Sequence, residues 1–364
     1  MNKTRASSPE IGPQVGRRKF LGGAALGAAG VAGIPAVLAA CGTTSSGGSG
    51  GSIGNFPSHK KWNFVFVNHV TTNAFFTPTQ YGAADACSVF GCSYQWTGSA
   101  NSVVSEMVNA FNTAISAKAD GIAVALIDLN AFNTPVQNAL AAGIPVVSYN
   151  ADAANARLAY IGQDLYQSGF QMGQRAVQVN GVNSGEVVGF IATPGSLNIQ
   201  PRIDGCKAAF AQYAPGVTFT EIATGAQADQ EQSTIDAYVL AHPNVKAYYS
   251  VDGGSSAGLG LVSKKYGLPG KGIHCGGFDL EPTTLTAVSN GSLDFTIDQQ
   301  PYLQGFVPVQ QLFLYKLSGT LIQPAPTDTG LLFVTKTNVG LYLNTQTRFE
   351  GSSPAQKVVP APAS

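Results

Sequence analysis

Ser256 stands in Gly254-Ser255-Ser256-Ala257-Gly258, the G-x-S-x-G form of a nucleophile elbow, and it falls where a strand gives way to a helix, as that motif requires. The motif also needs an acid and then a histidine further along the chain. The only histidine after Ser256 is His274, and no Asp or Glu separates the two. The usual triad order cannot be assembled, which leaves only a convergent order for a serine hydrolase using Ser256 and favours Ser255 or Ser256 as a helix cap. Metal chemistry is no better supplied. His59, His69, His242 and His274 lack ligand spacing and no C-x-x-C occurs, so no metal site is expected. Gly258-Leu259-Gly260 lacks the third glycine of a dinucleotide loop, and no phosphate-binding G-x-x-x-x-G-K-[ST] is present, so no cofactor is expected and any ATPase must be a separate subunit.

A different set of residues has more to offer. Those that leave the ends of apolar runs are Asn73-Ala74-Phe75-Phe76, Asp128, Asn150 with Asp152, Asn198 and Arg202, Asp252, Asp279 and Gln299. Short polar groups plus aromatic rings suit a polyhydroxylated ligand: ring faces cover its C–H surface, while carboxylates, amides and a guanidinium take neighbouring hydroxyls. Hydrogen bonds to charged groups contribute about 1.5 to 3 kcal/mol each, and a micromolar ligand needs about 8 kcal/mol in total, so a few suffice. Every one of these residues also has an ordinary reading. Phe75 and Phe76 fit a core, Asn73, Asn150 and Gln299 fit turns, Arg202 and Asp204 fit a surface ion pair, and Asp252 and Asp279 fit helix caps. Their shared place at strand ends favours the binding reading, with Trp96, Asp128, Asp152 and Asn198 as secondary candidates.

The elements that must position them alternate. Apolar β-forming runs at Trp62–Asn68, Ser93–Trp96, Gly121–Ile127 and Ile144–Tyr149 are separated by helical patterns at Thr79–Val89, Ser102–Ala117 and Ala131–Ala142. A second series follows, with strands at Val187–Ala192, Val217–Ala223, Val245–Val251, Ile273–Phe278 and Asp294–Ile297, and helices at Arg202–Tyr213, Gln230–Ala241, Ser256–Tyr266, Pro282–Asn290 and Tyr302–Leu317. Near-continuous apolar strands joined by helices imply parallel sheets covered on both faces. The fold class is therefore α/β, with two doubly wound parallel-sheet lobes. Ligands of such sheets gather at the carboxyl ends of the strands, so the site belongs in the cleft between the lobes.

The first 41 residues say where the protein works. Arg17-Arg18-Lys19-Phe20-Leu21 opens an uncharged Gly/Ala-rich segment that ends in Leu38-Ala39-Ala40-Cys41. A basic start, an apolar middle and small residues before a cut are export-signal features. The paired arginines resemble a twin-arginine signal, and Leu-Ala-Ala-Cys resembles a bacterial lipobox whose cysteine is acylated. Cleavage before Cys41 is favoured over a retained membrane helix, because the run is weakly apolar and carries Pro35. Residues 42–61 then form a Gly/Ser-rich tether with a reach of roughly 25 Å, and the protein is expected to be extracytoplasmic and lipid-anchored to the cell membrane. Without residues 1–40 the chain holds 15 basic and 19 acidic residues, and no basic run beyond Lys264-Lys265 follows Lys61, so a nucleic-acid partner is not expected. Cys87, Cys92, Cys206 and Cys275 lie in a compartment that permits disulfides, and a Cys87–Cys92 or Cys206–Cys275 bridge stays open beside free thiols.

From Trp62 to about Val334 the chain resembles the type I periplasmic binding proteins of sugar ABC transporters, the group of ribose- and galactose-binding proteins. The marks are Asn73-Ala74-Phe75-Phe76, similar to N-P-F-F; Ala142-Gly143-Ile144-Pro145-Val146-Val147; Arg202-Ile203-Asp204-Gly205, similar to R-x-x-G; Ala241-His242-Pro243-Asn244-Val245; Gly277-Phe278-Asp279; and Thr296-Ile297-Asp298-Gln299. The resemblance implies Phe75 and Phe76 as stacking residues, and Asn73, Asn150, Arg202, Asp252, Asp279 and Gln299 as hydroxyl partners. It also implies a three-strand hinge with crossings near Gln163, Gln300 and Leu331. The lobes would comprise 62–163 plus 300–330 and 164–299 plus 331–345, with a tail at 346–364. Asn150 stands where relatives carry Asp, Ala151 where the ribose type carries Arg, and Ala226 where many place a ring. A roomier, less charged cleft follows, favouring another monosaccharide or a polyol such as a sugar alcohol or inositol over ribose.

The expectation is therefore a monomeric, non-enzymatic substrate-binding lipoprotein of an ABC importer, whose partners are its sugar or polyol and the membrane permease and ATPase subunits. The rival role is a sensory receptor that presents the same ligand to a membrane signalling protein.

Overall fold

A computed structural model describes residues 55–320 and 324–343. The export segment, Cys41, most of the tether and the tail lie outside the described residues. The chain begins with β1 (Asn63–Asn68), α1 (Thr77–Phe90), β2 (Ser93–Gly98), α2 (Val104–Ser116), β3 (Gly121–Val124), α3 (Asn133–Ala141), β4 (Val146–Tyr149) and β5 (Ala159–Gly162). It continues with α4 (Leu165–Gln178), β6 (Ser184–Ile191), α5 (Gln200–Tyr213), β7 (Gly216–Ala223), α6 (Ala228–Ala241), β8 (Ala247–Ser250), α7 (Gly253–Tyr266), β9 (His274–Phe278), α8 (Pro282–Asn290), β10 (Phe295–Asp298), α9 (Leu303–Ser318), β11 (Pro326–Asp328) and β12 (Leu332–Thr335).

Two sheets result, ordered β11-β5-β4-β3-β1-β2 and β12-β10-β9-β8-β6-β7. Apart from its edge strand, each has the doubly wound order 2-1-3-4-5. Every pairing is parallel except that of β10 with β12. Strands covered on both faces have no polar side, which is why β3, β4 and β8 are buried throughout. The period-2 pleat divides the second lobe's core. Val188, Phe190 and Tyr248 face one helical layer, and Val187, Ile191, Ala247 and Tyr249 face the other.

Between β5 and α4 the chain passes from the first sheet to the second at Gln163. It returns between β10 and α9 at Gln300, and passes over again between β11 and β12. The strand β5 and the helix α4 are missing from the sequence-based reading. In Leu165–Gln178 two glycines, Gly169 and Gly173, lower helix propensity and hide the pattern, although Asp164 caps the start by accepting from Gln167 N–H at 2.9 Å. Those glycines are contacts. A side chain at Gly169 would strike the Arg202 carbonyl on α5, and one at Gly205 would strike the Tyr166 carbonyl on α4. The first lobe repeats the device where α1 meets α9, with Gly82 against the Tyr302 carbonyl and Gly305 against the Thr79 carbonyl.

Cys87, Cys92, Cys206 and Cys275 are buried free thiols, with Cys87 and Cys92 hydrogen-bonded to each other and unbridged. No helix among the described residues is long and apolar enough to cross a membrane. Ser256, the residue of the elbow motif, is fully buried. Its Oγ donates to the Asp252 carbonyl at 2.7 Å and accepts from Phe278 N–H at 3.0 Å, so it ties α7 to β9 and is unavailable as a nucleophile.

The reciprocal glycines make a prediction. Gly205→Ala should lower unfolding free energy by about 1 to 3 kcal/mol through overpacking of α4 on α5, whereas Gly270→Ala, which meets nothing within 4 Å, should stay within about 0.5 kcal/mol of wild type. Urea denaturation measures both, and equal effects would contradict the close-approach role.

Candidate functional site

The strand ends of the two lobes face each other across a polar seam. On the first lobe, Asn150 follows β4 with φ of 63°; on the second, Asp279 follows β9 with φ of 73°. Both take the left-handed conformation that short Asn and Asp side chains tolerate best. Their main-chain N–H groups donate in the same manner to the neighbouring strand, Asn150 to the Ile161 carbonyl at 3.1 Å and Asp279 to the Ile297 carbonyl at 2.9 Å. The two turns are equivalent positions in repeated lobes.

A chain of side-chain hydrogen bonds joins them. Asn150 Nδ2 donates to Gln304 Oε1 at 3.1 Å, Gln304 Nε2 donates to Gln299 Oε1 at 3.1 Å, and Gln299 Nε2 donates to Asp279 Oδ1 at 2.6 Å. Arg202, on the first turn of α5, is 2% exposed, with its guanidinium 4.1 Å from the centroid of the Phe278 ring. It donates to the Val251 carbonyl at 2.9 Å and to Gln163 Oε1 at 3.2 Å. Gln163 occupies one hinge crossing and donates to carbonyls of the other two, Gly330 at 3.0 Å and Asp298 at 3.4 Å. Arg202 is thus bonded to the residue that joins all three crossings.

Further contacts span the lobes. Asn198 Nδ2 lies 3.2 Å from His69 Nε2, Leu197 N–H donates to the Ile127 carbonyl at 3.0 Å, and Gln227 Nε2 reaches Asn101 Oδ1 at 3.3 Å. Around His69 the first lobe supplies an aromatic wall: Phe76 edge-on to His69 at 5.4 Å and 5.9 Å from Trp96, which in turn lies 6.3 Å from Tyr149. Within this seam Asn150 Oδ1, Arg202 Nε, His69 Nδ1 and Glu281 Oε2 are buried without a hydrogen-bond partner in the protein. Unpaired groups of this kind cost about 1 to 3 kcal/mol each, so a hydroxylated molecule seated there recovers free energy by pairing them.

The other residues singled out from sequence lie outside the bonded chain. Asn73 is exposed and caps a short turn by accepting from Phe75 N–H at 2.9 Å, so the structure does not bring it into the bonded cluster. Phe76 is a core residue, and Phe75 is half-buried against it. Trp96 has its indole N–H committed to the Thr71 carbonyl at 3.1 Å. Asp128 closes a turn by accepting from Asn130 and Ala131 N–H. Asp152 is held by Arg157 and Ser148 and lines a separate hinge-side cavity of about 350 Å³ with Tyr160, Gln163 and Leu197. Asp252 caps α7 through Ser255 N–H and accepts from Ala192 N–H, both at 2.9 Å. Sequence reasoning missed His69, Gln304 and Glu281.

Burial sets the electrostatics. Arg202 is pushed below its ordinary pKa by loss of solvent, countered by Asp279 first and then Tyr160 and Asp252. Loss of solvent raises Asp279 and Asp298 to about 6, Glu231 to about 9, and Glu281 well above the carboxylate range. His69 is lowered to about 4 by burial and stays neutral. No group of three or more His, Cys, Asp or Glu side chains among the described residues could hold a metal ion.

Comparisons with known proteins identify the family of this fold. A family model described as periplasmic binding protein domain matches residues 64–319. The xylose/arabinose-binding protein XylF of Sulfolobus acidocaldarius is 48% identical over 320 residues, spanning 84% of this chain and 78% of that protein. An ABC transporter solute-binding protein of Burkholderia graminis, solved in complex with D-arabinose, superposes with a TM-score of 0.73 at 27% identity, covering 79% of this chain and 100% of its own. A carbohydrate transporter protein of Acidothermus cellulolyticus, solved in complex with myo-inositol, gives 0.68 at 26% identity, covering 77% of this chain and 96% of its own. These relatives are solute-binding proteins.

The buried acids dictate how stability depends on pH. A carboxyl that titrates higher folded than unfolded binds more protons when folded, so its contribution is complete below its unfolded pKa and is lost as pH rises through the folded value. For Asp279 and Asp298 the loss runs from 3.8 to about 6, and for Glu231 from 4.5 to about 9. His69 has the opposite sign, destabilising below 6.5 because the unfolded chain then binds the proton that the fold refuses. Above about pH 6.5 the raised carboxyls Glu231 and Glu281 should lower the unfolding free energy as pH rises toward about 9, by at most about 1.4 kcal/mol per pH unit for each group, read as a falling calorimetric melting temperature. A flat or rising midpoint in that window would contradict the assignment.

Proposed function

This chain belongs to the periplasmic binding protein family, and we propose on that premise that it captures a neutral aldopentose such as xylose or arabinose between its lobes for delivery to an ABC importer. The observation that carries the reading is the bonded chain from Asn150 to Asp279, flanked by buried atoms from both lobes that have no partner of their own: Asn150 Oδ1 and His69 Nδ1 from the first, Arg202 Nε and Glu281 Oε2 from the second. A pentose hydroxyl both donates and accepts, so one small neutral molecule can serve an amide oxygen, a guanidinium N–H and a carboxyl group together. The sugar class is supported by the relatives that bind xylose, arabinose and D-arabinose.

Capture proceeds by hinge closure. A ligand touching both lobes favours the arrangement in which they meet, and only that arrangement lets Asn198 reach His69 and Leu197 reach Ile127. Arg202, bonded to Gln163, transmits occupancy of the seam to all three crossings. Export and acylation at Cys41 would hold the protein at the outer membrane face, where the joined lobe surfaces at the cleft mouth meet the permease as a monomer.

A thermal-shift panel tests the reading. D-xylose or an arabinose at about 100 times Kd should add about 2.7 kcal/mol of stability, with myo-inositol and sugar alcohols responding less. No shift with any pentose, hexose or polyol would overturn it. Asn150→Gly keeps the left-handed turn, which glycine adopts freely, while removing the amide. Pentose affinity by calorimetry should then fall about 10-fold or more, the equivalent of about 1.4 kcal/mol, with the ligand-free melting temperature lowered by loss of the bond to Gln304; unchanged affinity would remove Asn150 from the site.

A further inference from the structure

Leu197 and Asn198 lie between β6 and α5 of the second lobe, yet both meet the first. The Leu197 side chain packs against the first lobe's apolar core, and its N–H donates to the Ile127 carbonyl at 3.0 Å. Asn198 Nδ2 lies 3.2 Å from Nε2 of His69, the residue that follows β1. These contacts stand apart from the bonded chain that runs from Asn150 to Asp279.

The bonds around Asn198 decide which of its atoms faces the ring. Ser196 Oγ lies 2.5 Å from Asn198 Oδ1, a separation that suits an O–H···O bond and is short for an N–H···O bond. The hydroxyl therefore donates to the amide oxygen, and the amide nitrogen is turned toward His69. An amide nitrogen only donates, so His69 Nε2 accepts. A neutral imidazole that accepts at one nitrogen carries its proton on the other, which puts the N–H at Nδ1. His69 is 5% exposed, its ring is packed edge-on by Phe76 at 5.4 Å, and Nδ1 is one of the seam atoms buried without a partner in the protein. The ring is thus held in place while its one donor stays unfilled.

We infer that Asn198 is a positioning residue: reaching His69 across the seam, its amide claims Nε2 and leaves the ring proton on Nδ1, so that His69 becomes a hydrogen-bond donor to the ligand only when the lobes meet. The inference rests on the sugar-binding reading of the seam. The group recognised is a sugar oxygen acting as acceptor, either a hydroxyl or the ring oxygen. With the lobes apart Nε2 has lost its partner, and a free imidazole prefers to carry its proton there, which turns Nδ1 into an acceptor. Closure and recognition are then joined through the position of one proton, with no change of charge.

NMR of the histidine ring nitrogens tests this, with D-xylose or L-arabinose, whichever gives the larger thermal shift, added to saturation. The chain has four histidines, and the His69 signals are those missing from His69→Gln. In sugar-saturated wild type the His69 proton should sit on Nδ1. Asn198→Leu is close in size but has no donor: its affinity by calorimetry should fall about 10-fold or more, a change of about 1.4 kcal/mol, and at saturation its His69 proton should move to Nε2. Leu197→Ala loosens the lobe contact and leaves the amide in place, so it should bind more weakly while keeping the proton on Nδ1. A merely structural role for Asn198 would lower affinity without moving the proton. Saturated wild type with the proton on Nε2, or an Asn198→Leu variant that keeps either wild-type affinity or the Nδ1 proton, overturns the inference while leaving the sugar site intact. Wild type that binds no sugar overturns the site reading and this inference with it. Ligand-free melting curves establish that the variants fold, and should Asn198→Leu fail to fold, the wild-type spectrum alone decides.

Discussion

A guanidinium with 2% of its residue surface exposed must recover in bonds and nearby charge what it loses in hydration. Arg202 does so by stacking on Phe278, donating to the Val251 carbonyl and to Gln163, and lying close to Asp279 and Asp252. These partners come from strand ends of the second lobe and from the hinge. The cation can sit there only if β8, β9 and the first crossing are all in place, so one buried charge fixes the relation between the ligand seam and the three crossings. Its Nε is left without a hydrogen-bond partner in the protein.

The rest of the seam follows from a fold used twice. Each lobe has the same strand order, the same left-handed residue after the equivalent strand, and a helix pair brought together by reciprocal glycines. Repetition places Asn150 opposite Asp279, and the difference between the copies makes the site asymmetric: the first lobe contributes amides, an imidazole and rings, the second a cation and carboxyls. Neutral, polyhydroxylated ligands match such a surface because each hydroxyl can face either kind of partner.

Much of this was legible in the sequence. Apolar runs alternating with amphipathic stretches gave the two parallel sheets, because strands covered on both faces carry no polar alternation to confuse them. Residues at strand ends could be singled out by position, and Asn150, Gln299 and Asp279 do lie in one bonded chain, with the Arg202 charge acting on Asp279 beside it. Position alone could not tell a seam residue from a cap, which is why Asn73 and Asp128 satisfy their own turns instead. Gln304 was invisible for a different reason. It lies on a helix as one polar residue among others, and only the packing of α9 against the hinge turns it inward. His69 follows a strand directly, but a lone histidine carries no spacing signal. The helix α4 was obscured by glycines whose purpose, close approach to α5, exists only in three dimensions.

The most direct test of the central claim is a crystal structure of the mature protein with D-xylose or L-arabinose bound. The account predicts one sugar in the seam, with hydroxyls within hydrogen-bond distance of Asn150 Oδ1, Arg202 Nε and the Asp279 carboxylate. A pentose bound elsewhere, such as in the hinge-side cavity beside Asp152 and Tyr160, with those three atoms untouched, would contradict it.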